Sequence, residues 1–400
     1  MRPSDEQFRE AWPSVVRQLA AFAGSLDVGE ELAAEAIARA VALERPVDDL
    51  VAWCTTVGRR LHIDAVRSRA AGERALGELA RRPPVGPARG GADDDRYALL
   101  LVACDPVLGF ANRLVLALRV VCGLPTARIA WHLGIDPRAA SARLTRAKRA
   151  LAASRERFLV PEGDARAERL PAVLECVAAV HAVSQRDALR PGTAADDLGR
   201  SALTLARAVQ RAHPAAPEAE ALLAVVLLAL ARRPARFDAH GVALPLDEVD
   251  RSRWDRALLL AGLEHAAATA GTGGRFAIEA SIAALHVSAR SAAATDWVTI
   301  SALHARLLAI RPSAAARAAA AIAQGHAALR AGTDPVEAED ALRALELEGS
   351  AASRRDATLA LADLAWRSGR RVEAAERYAA IADELPASLA AFARRRIRES

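Results

Sequence analysis

The sequence predicts an all-α protein: two small helical domains followed by a longer domain of tetratricopeptide-like helical repeats. Apolar residues recur at three- and four-residue spacings through most of the 400 residues, the period of helices buried on one face. From about Glu168 onward no alternating apolar–polar run intervenes, as a half-buried strand would require. Short Gly- and Pro-containing breaks divide this pattern into segments of helical length, as helix stops do.

Residues 8–80 read as helical. Phe8, Trp12, Val15, Val16, Leu19 and Phe22 make the apolar side of a first helix, and Leu26-Asp27 opens a second. Leu32, Ala36, Ile37 and Ala40 give that second helix its core side, while Glu30, Glu31 and Glu35 give it an acidic side expected to be exposed. Val51, Trp53, Val57, Leu61, Ile63 and Val66 mark a third helix with a basic stretch at Arg59, Arg60, Arg67 and Arg69. An acidic helix followed by a basic one reads either as two partner surfaces on one small domain, 1–80, or as solvated helix faces. Residues 81–96 read as a flexible linker because prolines and glycines break any helix there. Asp93, Asp94 and Asp95 read as a solvated acidic run on it rather than a metal-binding cluster.

A second small domain, 97–160, contains the most informative segment. Leu124 to Leu133 reads as a short helix, Gly134 as a sharp turn, and Asp136-Pro137 as the cap and first residue of a second helix. Ala140, Leu144, Ala147 and Leu151 fall on one face. The opposite face carries Arg138, Ser141, Thr145, Arg146 and Arg149, flanked by Arg143 and Lys148. Such a helix-turn-helix suits the major groove of DNA; an ordinary Arg-rich surface helix is the competing reading. The formal net charge of +5 is concentrated here, with Arg128, Arg138, Arg143, Arg146, Lys148 and Arg149 opposed only by Asp136 between Leu124 and Leu151. Lys148 is the only lysine, so part of the Arg abundance reflects coding bias.

Val160-Pro161-Glu162-Gly163-Asp164 ends this domain, and 165–400 reads as a helical extension. Its clearest pair has Leu361, Ala362, Gly369, Ala374, Tyr378 and Pro386 at tetratricopeptide offsets, offering either a surface for protein partners or a stabilising appendage. Arg251-Ser252-Arg253-Trp254-Asp255-Arg256 reads as an internal clasp, with Trp254 buried and the arginines bonded to neighbouring acids. The longest apolar run, Ala221 to Ala231, is too short to span a bilayer and reads as a buried helix.

Nothing points to catalysis: no GxGxxG, Walker loop, HExxH or nucleophile elbow occurs. His286, His304 and His326 read as packing or surface residues on separate helices, so no metal or cofactor is expected. Cys54, Cys104, Cys122 and Cys176 lack zinc-site spacing and read as reduced, mostly buried thiols of a cytoplasmic protein. Met1-Arg2-Pro3-Ser4-Asp5-Glu6 lacks the apolar core of a signal peptide.

Taken together, the chain resembles the extracytoplasmic-function sigma factors of bacterial RNA polymerase, in the sigma-70 family, and most closely the subgroup with a C-terminal tetratricopeptide-like extension. The resemblance rests on Leu26-Asp27-Val28-Gly29-Glu30-Glu31-Leu32, on Ala52 to Arg67, on Gly123 to Ala130 and on Arg143 to Arg149. In the extension it rests on Asp250 to Leu258, Ala283-Ala284-Leu285-His286 and Thr295-Asp296-Trp297. Ala34 and Arg128 depart from the pattern, where a polar and an acidic residue are usual.

The resemblance implies that Asp27, Glu30, Glu31 and Glu35 dock on core RNA polymerase. It implies that Trp53, Arg59, Arg60, Arg67 and Arg69 meet the promoter element near the start site. The second helix of the helix-turn-helix would enter the distal element. Promoter DNA and core polymerase are then the partners, with a regulatory protein on the extension and no membrane. The chain then reads as a promoter-specificity factor that does no chemistry; the alternatives are a degenerate scaffold that binds proteins through its repeats and a DNA-binding regulator that never engages polymerase.

Overall fold

The computed structural model describes residues 4–43, 47–68, 92–154, 158–187 and 197–400. Arg69 and most of the expected linker lie outside the described residues. Among the described residues the protein is all-α and has no strand, only an isolated antiparallel bridge between Phe237 and Ala243. Among the described residues no helix is long and apolar enough to cross a membrane. The chain forms two compact units, one from the described residues of 4–184 and 197–212, the other from 185–187 and 213–400.

The first unit begins with α1 (Asp5–Ala23), α2 (Leu26–Val41) and α3 (Leu50–Arg67). Local chemistry fixes their starts. Ser4 accepts from the Gln7 N–H while the Gln7 side chain accepts from the Ser4 N–H, a reciprocal cap, and Ser25 and Asp49 cap α2 and α3. Then come α4 (Ala92–Ala103), α5 (Phe110–Val120), α6 (Thr126–Leu133), α7 (Pro137–Ser154), α8 (Gly163–Glu168), α9 (Leu170–Asp187) and α10 (Leu198–Ala212). The core runs through Val15, Val16 and Leu19 of α1, Leu99 and Leu100 of α4, and Leu116 and Leu118 of α5, all fully buried. Cys54, Cys104 and Cys176 are buried and every cysteine is a free thiol.

Two expected boundaries move. Asp93, Asp94 and Asp95 do not lie on a linker but form the first turn of α4, which packs on α1, α5 and α10. Carboxylates are favoured there because the N-terminal N–H groups carry partial positive charge. Asp95 is fully buried and ion-paired with Arg17 of α1. Asp93 pairs with Arg96 at 3.2 Å and with Arg211 of α10 at 2.7 Å. The break near 160–165 does not end the unit either. Arg169 is buried, donating to the Leu101 carbonyl at 2.6 Å and to Asp105 at 2.8 Å, so α9 up to residue 184 and α10 belong with α4.

The apolar faces of α2 and α3 also differ from expectation. The buried side of α2 is Leu26, Gly29, Glu30, Ala33, Ala36 and Ala40, so Glu30 points inward rather than outward. On α3 the buried positions are Cys54, Thr55 and Gly58, and Trp53 is only half-buried. Small residues win these positions because the helices approach closely. A Cβ on Gly29 would lie 2.4 Å from the Ala20 backbone, and one on Gly58 would lie 2.5 Å from Leu19 Cδ1.

The second unit contains α11 (Pro217–Arg232), α12 (Arg256–Thr269), α13 (Arg275–Ser288), α14 (Trp297–Ile310), α15 (Ala314–Ala331), α16 (Val336–Glu348), α17 (Ala351–Arg367), α18 (Arg371–Ile381) and α19 (Ala387–Arg398). Each of these helices packs on its successor, as helix-pair arrays do. The run Ala221 to Ala231 lies in α11 with all but Val225 buried. Ala362, Ala374 and Tyr378 are buried between α17, α18 and α19, and Leu361 is buried on the other side of α17 against α15 and α16, all at the offsets read from the sequence. Glu218 of α11 accepts from the N–H groups of Phe276 at 3.0 Å and Ala277 at 3.2 Å, capping α13 from a neighbouring helix.

The Arg251–Arg256 segment is a clasp, but Arg251 and Arg253 bond to carbonyls rather than to acids. Trp254 is buried, and the Asp255 N–H donates to the Ala231 carbonyl at 2.9 Å. Arg253 donates to the Phe237 carbonyl at 3.1 Å, and Arg251 to the carbonyls of His286 and Ala289 at the end of α13. Terminal carbonyls of a helix have no intrahelical partner and carry partial negative charge, so a guanidinium satisfies both needs.

Two measurements test this packing. Gly29→Ala places a methyl group against backbone that has no side chain to move, and should lower the stability of the first unit by about 1–3 kcal/mol in urea unfolding. In the second unit, burial together with Arg232, His304, His326 and Arg251 pushes His286 down to about 4. Burial and Arg367 push His326 down to about 4 against the opposing pull of Asp363 and Asp247. Well above pH 6.5 both rings are neutral whether folded or unfolded. As pH falls from 6.5 to 4 the unfolded chain binds protons that the folded unit excludes, so stability drops across that window. The urea midpoint should fall accordingly, and His286→Asn or His326→Asn should each flatten the fall.

Candidate nucleic-acid interface

The helix-turn-helix is built as its sequence dictates. α6 ends at Gly134, whose φ of 64° is the left-handed conformation that glycine adopts without strain. The chain reverses through Ile135 and Asp136, and the Asp136 carboxylate accepts from the Arg138 N–H at 2.7 Å. Pro137 then opens α7, whose buried residues are Ala140, Leu144, Ala147 and Leu151, the four that the spacing predicts. They seat α7 on α5 and α6.

Seating that face leaves Arg138, Ser141, Thr145, Arg146 and Arg149 exposed, with Arg143 half-buried at the edge. Arg128 of α6 is half-buried with its guanidinium 5.0 Å from the Trp131 ring centroid. On α3, Arg60 and Arg67 are exposed, Arg67 lying 3.9 Å from Asp64. Arg59 is half-buried, its guanidinium 5.3 Å from the Phe22 ring centroid.

Lys148 stands apart from this exposed set. Its ammonium lies 2.5 Å from Asp27 and 2.8 Å from Glu30, both on α2. Glu30 is only 4% exposed. Its other oxygen accepts from Arg119 of α5 at 2.5 Å, and Arg119 also donates to the Leu124 carbonyl at 3.1 Å. Burial acts against the charge on Lys148, but hydrogen bonds and attraction from Asp27 and Glu30 outweigh it and hold its pKa above the usual lysine value. The expected phosphate contact Lys148 and the expected polymerase contacts Asp27 and Glu30 are thus partners of each other. Glu31 and Glu35 remain exposed, Glu35 paired with Arg39 at 2.8 Å.

Sequence reading missed Arg119. Its signal was available: a lone charge inside the apolar run Leu114 to Val121 has to find a buried counter-charge.

Residues 169–270 match a family of unknown function (DUF6596). The chain is 34% identical over 316 residues to the uncharacterized protein R00370 of Rhizobium meliloti (strain 1021), a match covering 76% of this chain and 75% of that protein. The chain belongs to that protein's family. No solved structure matches it.

The ion cluster has a measurable signature. Glu30 is buried between two cations, so Lys148→Met should lower the stability of the first unit by about 1–3 kcal/mol. Asp27 is exposed, and Asp27→Asn should cost about 0.5 kcal/mol. Urea unfolding distinguishes them, and equal losses would contradict the central position of Glu30.

Proposed function

We propose that the protein is a cytoplasmic, sigma-type promoter-specificity factor that binds core RNA polymerase and directs it to a two-element promoter. The observation that carries the reading is the bare outer face of α7, where Arg138, Ser141, Thr145, Arg146 and Arg149 are exposed opposite a fully seated apolar face. The N-terminal end of such a helix reaches base edges, and cations further along meet phosphates. Arg138 and Ser141 take the first role; Arg146 and Arg149 take the second. Arg60 and Arg67 on α3 hold phosphates of the proximal element, with Trp53 offering a ring edge to an unstacked base. Glu31 and Glu35 form the accessible part of the polymerase-facing side.

A second reading, a scaffold that keeps a sigma-like core for folding, draws on the pairing of Glu30 and Asp27 with Lys148. The two readings separate at one experiment: comigration with core polymerase, followed by run-off transcription and sequencing of the 5′ ends. A promoter factor comigrates and yields defined starts; a scaffold does neither.

Within the first reading, Arg138→Ala should relax preference at one position of the distal element. Arg149→Ala should weaken binding to all sequences by a similar factor and lower the salt slope by about one. Salt-titrated binding to single-base promoter variants measures both, and equal loss of discrimination from the two would refute this division.

A further inference from the structure

The second unit holds a cavity of about 830 Å³ reached between its helices and the loop before α12. This volume lies in the range of sites that enclose a drug-sized ligand. Nothing in the helix-turn-helix reading uses it. Leu244, Leu246, Ile322, Leu329, Leu359 and Leu389 make aliphatic walls. Its aromatic rings are already covered: Trp297 is stacked on His326 at 4.2 Å, and the guanidinium groups of Arg371 and Arg396 sit over Trp366 at 3.6 and 4.3 Å.

The charges lining the cavity cancel, with Asp247, Asp356 and Asp363 against Arg330, Arg367 and Arg371. The inner cation Arg367 is held by two carboxylates, Asp363 at 2.6 Å and Asp247 at 3.0 Å. His326 lies 3.9 Å from Asp363 and is a neutral ring at pH 7. One polar group is left over. Tyr378 lines the cavity, is fully buried, and its hydroxyl has no hydrogen-bond partner among the described residues. Burial raises the phenol above its usual range, so it stays an O–H that both donates and accepts.

We propose that this cavity binds an uncharged amphiphile, an aliphatic body ending in a hydroxyl or carbonyl group that hydrogen-bonds to Tyr378. Covered aromatic faces favour an aliphatic body over a stacked ring. A charged end beside Tyr378 would lack a counter-ion, because Arg367 and both of its carboxylates already satisfy one another there, and the other lining charges, Arg330, Arg371 and Asp356, are exposed. An unpaired buried hydroxyl is what a neutral polar end relieves. The site is independent of promoter binding, and its test needs neither DNA nor polymerase.

The full chain is titrated with the neutral fluorophore N-phenyl-1-naphthylamine, then with 1-decanol, decyl sulfate or decylammonium as competitors. Saturable binding of one fluorophore is expected, displaced by 1-decanol at concentrations at least about tenfold below those needed for either charged homologue. Tyr378→Phe should weaken 1-decanol about fivefold while leaving fluorophore affinity nearly unchanged. Leu246→Trp, on a loop rather than in a helix core, should fill the cavity and weaken both. Circular dichroism and the urea midpoint establish that each variant is folded. Absence of saturable binding to the folded chain, equal displacement by a charged homologue, or indifference of 1-decanol to Tyr378→Phe would each overturn the assignment.

Discussion

The first unit is organised around one buried carboxylate. Glu30 sits between Arg119 of α5 and Lys148 of α7, with Asp27 beside the lysine. An unpaired carboxylate in that position would be driven to take up a proton or to reopen the interface, so α2, α5 and α7 are held to an arrangement that supplies both cations. The only lysine of the chain meets two carboxylates on the same helix with a single compact ammonium. Arg119, by contrast, spreads its planar group between Glu30, the Leu124 carbonyl and a Trp12 ring 5.4 Å from its centre. The helix-turn-helix is therefore tied to α2 by charge. In the promoter-factor reading, polymerase contact through Glu30 requires that tie to break, whereas contact through Glu31 and Glu35 does not.

How far the sequence speaks depends on whether one helix or two decide an outcome. The seat of α7 was legible because Ala140, Leu144, Ala147 and Leu151 follow helical spacing within a single element, and Gly134 and Asp136 act on their own backbone. The same holds for Leu361, Ala374 and Tyr378. Glu30 was misread because its burial depends on Arg119 and Lys148, 89 and 118 positions away in sequence, and period alone assigns any charge to solvent. Asp93 to Asp95 were misread as linker because prolines and glycines dominate the stretch before them, although acids opening a helix are a recognised start signal. On α3 the bulky apolar residues drew attention, whereas Gly58 decides the packing because no side chain fits beside Leu19, and Cys54 and Thr55 are the other buried positions. The cavity was not legible at all, since its walls come from helices far apart in sequence.

The domain boundary carries the same lesson about long-range pairing. A break in pattern at 160–164 suggests an end, yet Arg169 with Asp105 and Arg211 with Asp93 fasten the next two helices to α4. The family match over 169–270 therefore covers residues of both units: α9 and α10 complete the first, while α11 and α12 open the second. A chain cut at 163 removes Arg169, the buried cation that donates to Asp105 at 2.8 Å. A cut after Ala212 leaves both ion pairs intact, and is the division that the physical chemistry of the first unit allows.

In the second unit, charge is used differently. Arg251 and Arg253 bond to carbonyls at a helix end and in a loop, so they bear on backbone that no side-chain substitution elsewhere can remove. Arg367, Asp247 and Asp363 form a closed set beside the cavity, and Arg371 and Arg396 cover Trp366 from its two neighbouring helices. With Arg367 matched to Asp247 and Asp363, that part of the wall offers little attraction for an ion. The free hydroxyl of Tyr378 is then the feature able to discriminate among ligands that fit, which makes hydrogen bonding rather than charge the basis of any selectivity the unit has.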